Sequence, residues 1–257
     1  MEYFLGHLSD QYAVRALTRD PTKTEAVRLA SLGAEVVAAD FDDETSLVQA
    51  FSGADFIFGI TNFWDKASID IEVQQGLLVA KVASELPHLK HFVFSSLPDA
   101  TKFAQGKFQN VLPYNAKTKI RDGMIKLYPQ LWEKTTTIYV GFYFQNWLKY
   151  PIVFGPQKVV MSCYRILGYL LIFFLQKSQD SFVLIQPYSA SSSLPLLSST
   201  DTGVIVAELL RGGPKFFGKT VSLLEKYAKV EDTLKSWADS RFIYFSKYKH
   251  LANINLS

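Results

Sequence analysis

Several residue types that announce whole classes of protein are scarce in this chain. One cysteine, Cys163, among 257 residues excludes an internal disulfide and any site built from several thiolates. The four histidines, His7, His88, His91 and His250, are scattered without carboxylates at ligand spacing, so packing or surface roles are expected of them and no metal. Neither sign of charge dominates. Twenty-seven basic against 24 acidic residues leave +3 with no long run of one sign, which argues against the basic stripe of a direct nucleic-acid binder. The opening MEYFLGHLSDQ lacks the basic lead and apolar run of a secretory signal. The most apolar stretch, Ile166 to Leu175, is too short to span a bilayer. A cytoplasmic location, or a nuclear one, with no membrane partner is the expectation. Ser31, Ser52 and Ser84 stand in no G-x-S-x-G setting, so a hydrolase is not expected.

What is present is apolar content and rhythm. With 48% apolar residues the chain can bury a substantial core. Runs that read as strands, YAVRAL, AEVVAA, DFIFGIT, KHFVFSS and TTTIYVGF, alternate with segments of helical spacing. One helix is expected from about Pro21 and Thr22, closed by a left-handed Gly33. A second is capped by Asp43 and closed by Gly53, and a third runs from Ile71 to Leu86, before Pro87. Short connections with right-handed crossovers make this an α/β fold, a doubly wound parallel sheet with helices on both faces.

In such a sheet ligands lie beyond the carboxyl ends of the strands. After the first visible strand come Thr18 and Arg19, with Lys23 a turn later and no acid at the strand tip. An arginine there suits a ribose 2′-phosphate; the alternative is a solvated side chain. Asp40, after the second strand, could meet adenine, but aspartate also starts turns, and turn preference favours the latter. GITNFWD places Thr61, Asn62 and Phe63 after the third strand, at the height of a ribose or diphosphate, with Phe63 and Trp64 either walling a nicotinamide or packing beneath a loop. Ser95 and Ser96 follow the fourth strand as hydroxyls near the chemistry or as simple strand-end caps. LPYNAKTK offers Lys117 on a helix, but the tyrosine of a Tyr–Lys proton-transfer pair would stand four residues earlier, and that residue is Pro113. Tyr114 is three away, which rotates its phenol by about 100° on a helix.

VRALTRDP, GAEVVAADFDD, GADFIFGITNFWD, EVQQGLLVAKVA, KHFVFSSLPDA, PYNAK and GFYFQNW come in the order and at the intervals of the NmrA-like family, atypical relatives of short-chain dehydrogenase/reductases, which the chain resembles. The resemblance implies a Rossmann-type domain binding NADP(H), here spanning 1–157, and a small C-terminal α+β lobe at 181–257. Between them, 158–180 is an apolar stretch foreign to the family, read as a buried helix or as misread coding sequence, with the latter preferred. It implies Arg19 and Lys23 at the 2′-phosphate, Thr61 and Asn62 at the middle of the cofactor, Lys117 positioning the nicotinamide ribose, and Phe142 to Asn146 on the nicotinamide side. It also implies two function classes. One is a redox- or dinucleotide-responsive regulator that binds a protein partner such as a GATA-type transcription factor. The other is an NADPH-dependent reductase of a small conjugated or quinoid substrate. A third reading is a non-functional truncated paralogue.

The family's glycine-rich G-x-x-G-x-x-G turn has no counterpart here, and EYFLGHLSDQ matches only the latter half of the helix that follows it. The expectation is a chain truncated at its start, with a sheet lacking its first strand and weakened cofactor binding. Of two outcomes for the sheet, closing of the halves is preferred over an open slot, because buried unpaired amides cost roughly 1 to 3 kcal/mol each. After about Asp239 the tail also departs from the family.

Overall fold

The computed structural model describes residues 1–150 and 189–239 and the backbone pairing of 157–158 with 182–183. Residues 159–180 of the foreign stretch, with Cys163, and the tail beyond Asp239 lie outside the described residues.

The chain divides into two compact units, 1–140 with 200–223 and 141–199 with 224–257. The first runs α1 (Glu2–His7), β1 (Arg15–Thr18), α2 (Thr24–Ser31), β2 (Glu35–Ala38), α3 (Glu44–Phe51), β3 (Phe56–Ile60), α4 (Phe63–Lys66), α5 (Ile69–Ser84), β4 (His91–Ser96), α6 (Ala100–Phe103), α7 (Leu112–Leu127), α8 (Pro129–Trp132) and β5 (Thr135–Val140). The second begins with β6 (Phe142–Tyr143), α9 (Asn146–Lys149), β7 (Gln157–Lys158), β8 (Phe182–Val183) and β9 (Ser193–Leu197). Then α10 (Asp201–Gly212) and β10 (Thr220–Leu223) belong to the first unit, and β11 (Lys226–Lys229) and α11 (Val230–Asp239) to the second.

The expected punctuation sets these boundaries. Gly33 follows α2 with φ of +101°, a conformation open to glycine without a Cβ clash. The Asp43 side chain caps α3 by accepting from the Thr45 N–H at 3.0 Å. α5 begins two residues before Ile71 because Ser68 supplies the cap, accepting from the Ile71 N–H at 3.4 Å. Among the described residues no helix is long and apolar enough to cross a membrane.

Every strand pair of the first unit is parallel, in the order β2–β1 and, separately, β3–β4–β5–β10. This is the α/β arrangement expected, and the strand at 220–223 extends it by one position that the patterning alone did not mark. The preferred closure of the halves is not what the structure shows. β1 pairs only with β2 and β3 only with β4, so a slot remains between them, and among the described residues no strand fills it.

Three features hold the two half-sheets together across that slot. At one end the Tyr12 and Phe56 rings meet edge to face, centroids 5.9 Å apart. At the other the Arg19 guanidinium grips Asp65 of α4. Behind the slot, α3 lies on α5, with Gln75 Nε2 donating to Asp42 at 3.0 Å and Lys81 paired to Glu44 at 2.6 Å. Leu47, Ala50 and Phe51 of α3 share one buried cluster with Ile57, Val79, Phe92, Phe94, Ile120 and Met124. Closure would merge the half-sheets, but that shared core already fixes their separation, since a close-packed interior does not deform continuously. On the opposite side α1 buries Phe4 and Leu8 against Val206 and Ala207 of α10.

The second unit carries a three-stranded sheet, β6 parallel to β9 and β9 antiparallel to β11, followed by α11.

Candidate functional site

Two glycines create the centre of the first unit. A Cβ on Gly76 of α5 would stand 2.6 Å from Ile120 Cδ1 of α7, and one on Gly123 would stand 2.6 Å from a Leu77 methyl. Each helix thus seats a branched side chain over a glycine of the other, and the axes approach closely. One turn nearer the strand tips this approach joins Glu72 to Lys117, with Nζ 3.0 Å from Oε1. Both side chains are buried, 2% and 9% exposed.

Thr61, in the turn after β3, completes the group. Its hydroxyl donates to Glu72 Oε1 at 2.6 Å and accepts from the Lys117 ammonium, while its carbonyl oxygen accepts from the same ammonium at 2.5 Å. The ammonium has three N–H donors, and Thr61 O, Thr61 Oγ1 and Glu72 Oε1 are three acceptors. The Phe94 ring lies beneath, its centroid 5.9 Å from Nζ. Burial lowers the Lys117 pKa from the ordinary lysine value, and the Glu72 charge opposes that shift. Glu72 Oε2 is buried with no hydrogen-bond partner.

Ser95 and Ser96 end β4 beside this cluster as buried side chains, Ser96 Oγ lying 3.5 Å from the Lys117 carbonyl oxygen. Asn62 caps α4 by accepting from the Trp64 N–H at 3.2 Å. Phe63 is buried beneath that turn, whereas Trp64 stands 74% exposed.

The tips of β1 and β2 form a second locus. Arg19, Ala38, Ala39, Asp40, Asp43 and Ser46 line a shallow depression of about 200 Å³. Asp40 shapes a turn as its residue type suggested: its carboxylate accepts from the Asp42 N–H at 3.0 Å and its N–H donates to Ser46 Oγ at 3.0 Å. Arg19 makes a two-pronged pair with Asp65, at 3.1 and 2.8 Å. Lys23 stands just ahead of α2, its N–H bonded to the Asp20 carbonyl. The Arg19 bond holds the Asp65 carboxyl below the usual carboxylate range, with Lys66 and Lys23 adding to the effect.

The first unit therefore brings Thr61 and Lys117 into one contact group and places Arg19 at a separate depression with Asp40. Phe142 and Asn146 belong to the second unit, where Phe142 pairs in register with Leu196 and Asn146 opens α9. Among the described residues no group of His, Cys, Asp or Glu could hold a metal ion.

A model of the NmrA-like family matches residues 5–240. The chain belongs to the NmrA-like family. It is 25% identical over 214 residues to an NmrA-like family domain-containing protein of Dictyostelium discoideum, covering 82% of this chain and 63% of that protein. An NmrA-like family domain-containing oxidoreductase of Aspergillus hancockii is 39% identical over 101 residues, 38% of this chain and 30% of the relative. The chain thus spans less than two thirds of these curated relatives. Among solved structures, NmrA, a negative transcriptional regulator, superposes with a TM-score of 0.73 at 18% identity, covering 94% of this chain and 68% of its own. NmrA in complex with NADP gives 0.71 at 19%, covering 91% and 65%. These likenesses show the fold.

The NmrA-like residue that pattern reading missed is Glu72. A signal existed in IDIEVQQGLLVAKVAS: Glu72, Gln75, Gly76, Val79 and Ala83 recur at helical spacing and all are buried. An acid on the apolar stripe of a helix requires a buried partner of opposite charge.

Proposed function

We propose that this NmrA-like chain binds NADP(H) weakly, through its adenosine end, and acts as a dinucleotide-responsive regulator that presents a surface to a protein partner. A GATA-type transcription factor is the partner class the family resemblance suggests. The observation that carries this reading is the occupation of Lys117. Its ammonium is committed to Thr61 and Glu72, and the position of a partnering tyrosine is Pro113, so neither half of a Tyr–Lys proton-transfer pair is delivered to a substrate. Arg19 and Lys23 suit a 2′-phosphate beside the depression that Arg19 and Asp40 line.

A bound dinucleotide supplies hydride chemistry, and the adenosine end fits the residues present. The diphosphate does not fit equally well: before Gly33 the chain contains only Gly6, within α1, and no glycine-rich turn offers its N–H groups. Losing even two charge-assisted bonds of that kind, each roughly 1.5 to 3 kcal/mol, weakens binding about 10² to 10⁴-fold.

NADPH fluorescence titration of residues 1–257, beside a fusion that adds a glycine-rich strand–turn–helix ahead of Met1, tests this. The fusion is expected to bind at least about 10²-fold more tightly. Low-micromolar binding by the unaltered chain would contradict the proposal. The second reading, an NADPH-dependent reductase of a small conjugated or quinoid substrate, is favoured by the relatives named oxidoreductases. Its signature is NADPH oxidation dependent on an added quinone in the fusion protein, and absence of that turnover leaves the regulator.

A further inference from the structure

The Arg19–Asp65 pair is the one polar clasp described at the strand-tip end of the slot, and its chemistry suits more than fastening. Both guanidinium prongs are used, Nη1 to Oδ2 at 3.1 Å and Nη2 to Oδ1 at 2.8 Å. Arg19 also lines the depression with Ala38, Ala39 and Asp40. Asp65 also draws Lys66, whose Nζ lies 4.0 Å from Oδ2, and feels the charge of Lys23. One carboxylate therefore stands amid three cations. Two further acids, Asp40 and Asp42, face Arg19 from the β2 side, but the Asp40 carboxylate is engaged by the Asp42 N–H and Asp42 by Gln75.

Carboxylate and phosphate present the same paired oxygens to a guanidinium fork, so they compete for it. We propose that Asp65 is a specificity-determining residue that occupies the Arg19 fork in place of a nucleotide 2′-phosphate and is displaced by it. Nucleotides bearing a 2′-phosphate open the Arg19–Asp65 clasp, and those with a free 2′-hydroxyl leave it shut. This rests on the proposal that the depression takes the adenosine end of NADP(H). Arg19 and Asp65 are 50% and 29% exposed, and solvent screens a pair so exposed. The competition is therefore modest, worth up to about fivefold in affinity.

Adenosine 2′,5′-bisphosphate and adenosine 5′-monophosphate, titrated by calorimetry at low ionic strength into the whole chain, test the clasp without a diphosphate or any turnover. Asp65→Asn is expected to tighten the bisphosphate about two- to fivefold and leave the monophosphate within error, so that a general gain of positive charge is excluded. In an Arg19→Ala background the same change should leave the ratio of the two affinities where Arg19→Ala alone put it. If both nucleotides bind but Asp65→Asn leaves their ratio unmoved, Asp65 is a structural clip and the clasp proposal fails alone. A lowered melting temperature with an unmoved ratio likewise makes Asp65 a structural clip. If neither nucleotide binds in any variant, the adenosine-end reading fails and the clasp falls with it.

Discussion

β4 and β1 are both parallel strands of one unit, yet they live in different surroundings. All six residues of β4 are buried, flanked by β3 and β5 and packed by α5 and α7. In β1 only Ala16 is fully buried, and β2 beside it buries none of its four residues. Near-continuous apolar sequence, HFVFSS, is what a strand covered on both faces requires. RALT and EVVA form a two-stranded ribbon, marginal by itself. The lesson is that β1–β2 owes its stability to α3, to the shared core and to clasps across the slot, whereas β3–β4–β5–β10 sustains itself.

Truncating a large apolar side chain in each region breaks or sharpens that contrast most strongly. Phe92→Ala removes a ring that is 1% exposed and is expected to cost about 3–5 kcal/mol, whereas Leu17→Ala, partly buried against the same core, should cost about 1–2 kcal/mol. Urea unfolding measures both, and equal losses would remove the asymmetry.

A buried ion pair gives the next effect. Lys117→Met leaves Glu72 charged with no cation and should cost about 3 kcal/mol or more, while Lys117→Met combined with Glu72→Met should recover most of the loss, since paired apolar replacements are often neutral. A double variant no more stable than the single one would show that the cluster is held by something other than charge pairing.

The well-packed sheet also carries one liability at acid pH. Thr136 Oγ1 donates to the Phe216 carbonyl at 2.8 Å, so it accepts from His91 Nε2 at 2.7 Å, which leaves Nδ1 a bare buried acceptor. Burial lowers the His91 pKa to about 4. Between the unfolded value near 6.5 and about 4 only the unfolded chain binds the proton. Stability is unaffected by His91 above about pH 6.5 and falls as pH drops towards 4, by an expected 1–3 kcal/mol. Thermal melts across this range should show that slope in the native chain and a shallower one in His91→Gln. An identical slope in both would place the titration elsewhere.

How legible this was in sequence depends on the range of the interaction that decides each feature. Gly33, Asp43 and the alternating runs act within a few residues, and they marked α2, α3 and the strands of the α/β sheet. The order of the half-sheets followed from the family pattern. The outcome at the slot did not, because it turns on whether α3 and α5 share a core that resists closing, a contact more than thirty residues apart in the chain. Lys117 and Thr61 could each be singled out, but not their contact with one another and with Glu72, since the three come from different elements. Arg19 was read at a strand tip; the adjacent Asp20 turns to the Thr22 N–H and hydroxyl, and the acid that meets Arg19 arrives from α4.

Hydrogen exchange resolved to single amides tests the two-region account most directly. In β1 the carbonyls of Val14 and Thr18 accept from Glu35 and Ala39 of the β2 side, so the Arg15 and Leu17 amides point into the slot, since alternate residues of a parallel strand face opposite neighbours. In β3 the Asp55 carbonyl accepts from Lys90 on the β4 side, so the Phe56, Phe58 and Ile60 amides face the slot. The expected result is fast exchange at Arg15, Leu17, Phe58 and Ile60, against strong protection at Ala16, Ile57 and Gly59 and throughout β4. Uniform protection along β1 and β3, with no alternation, would mean that the slot is filled and would contradict the account.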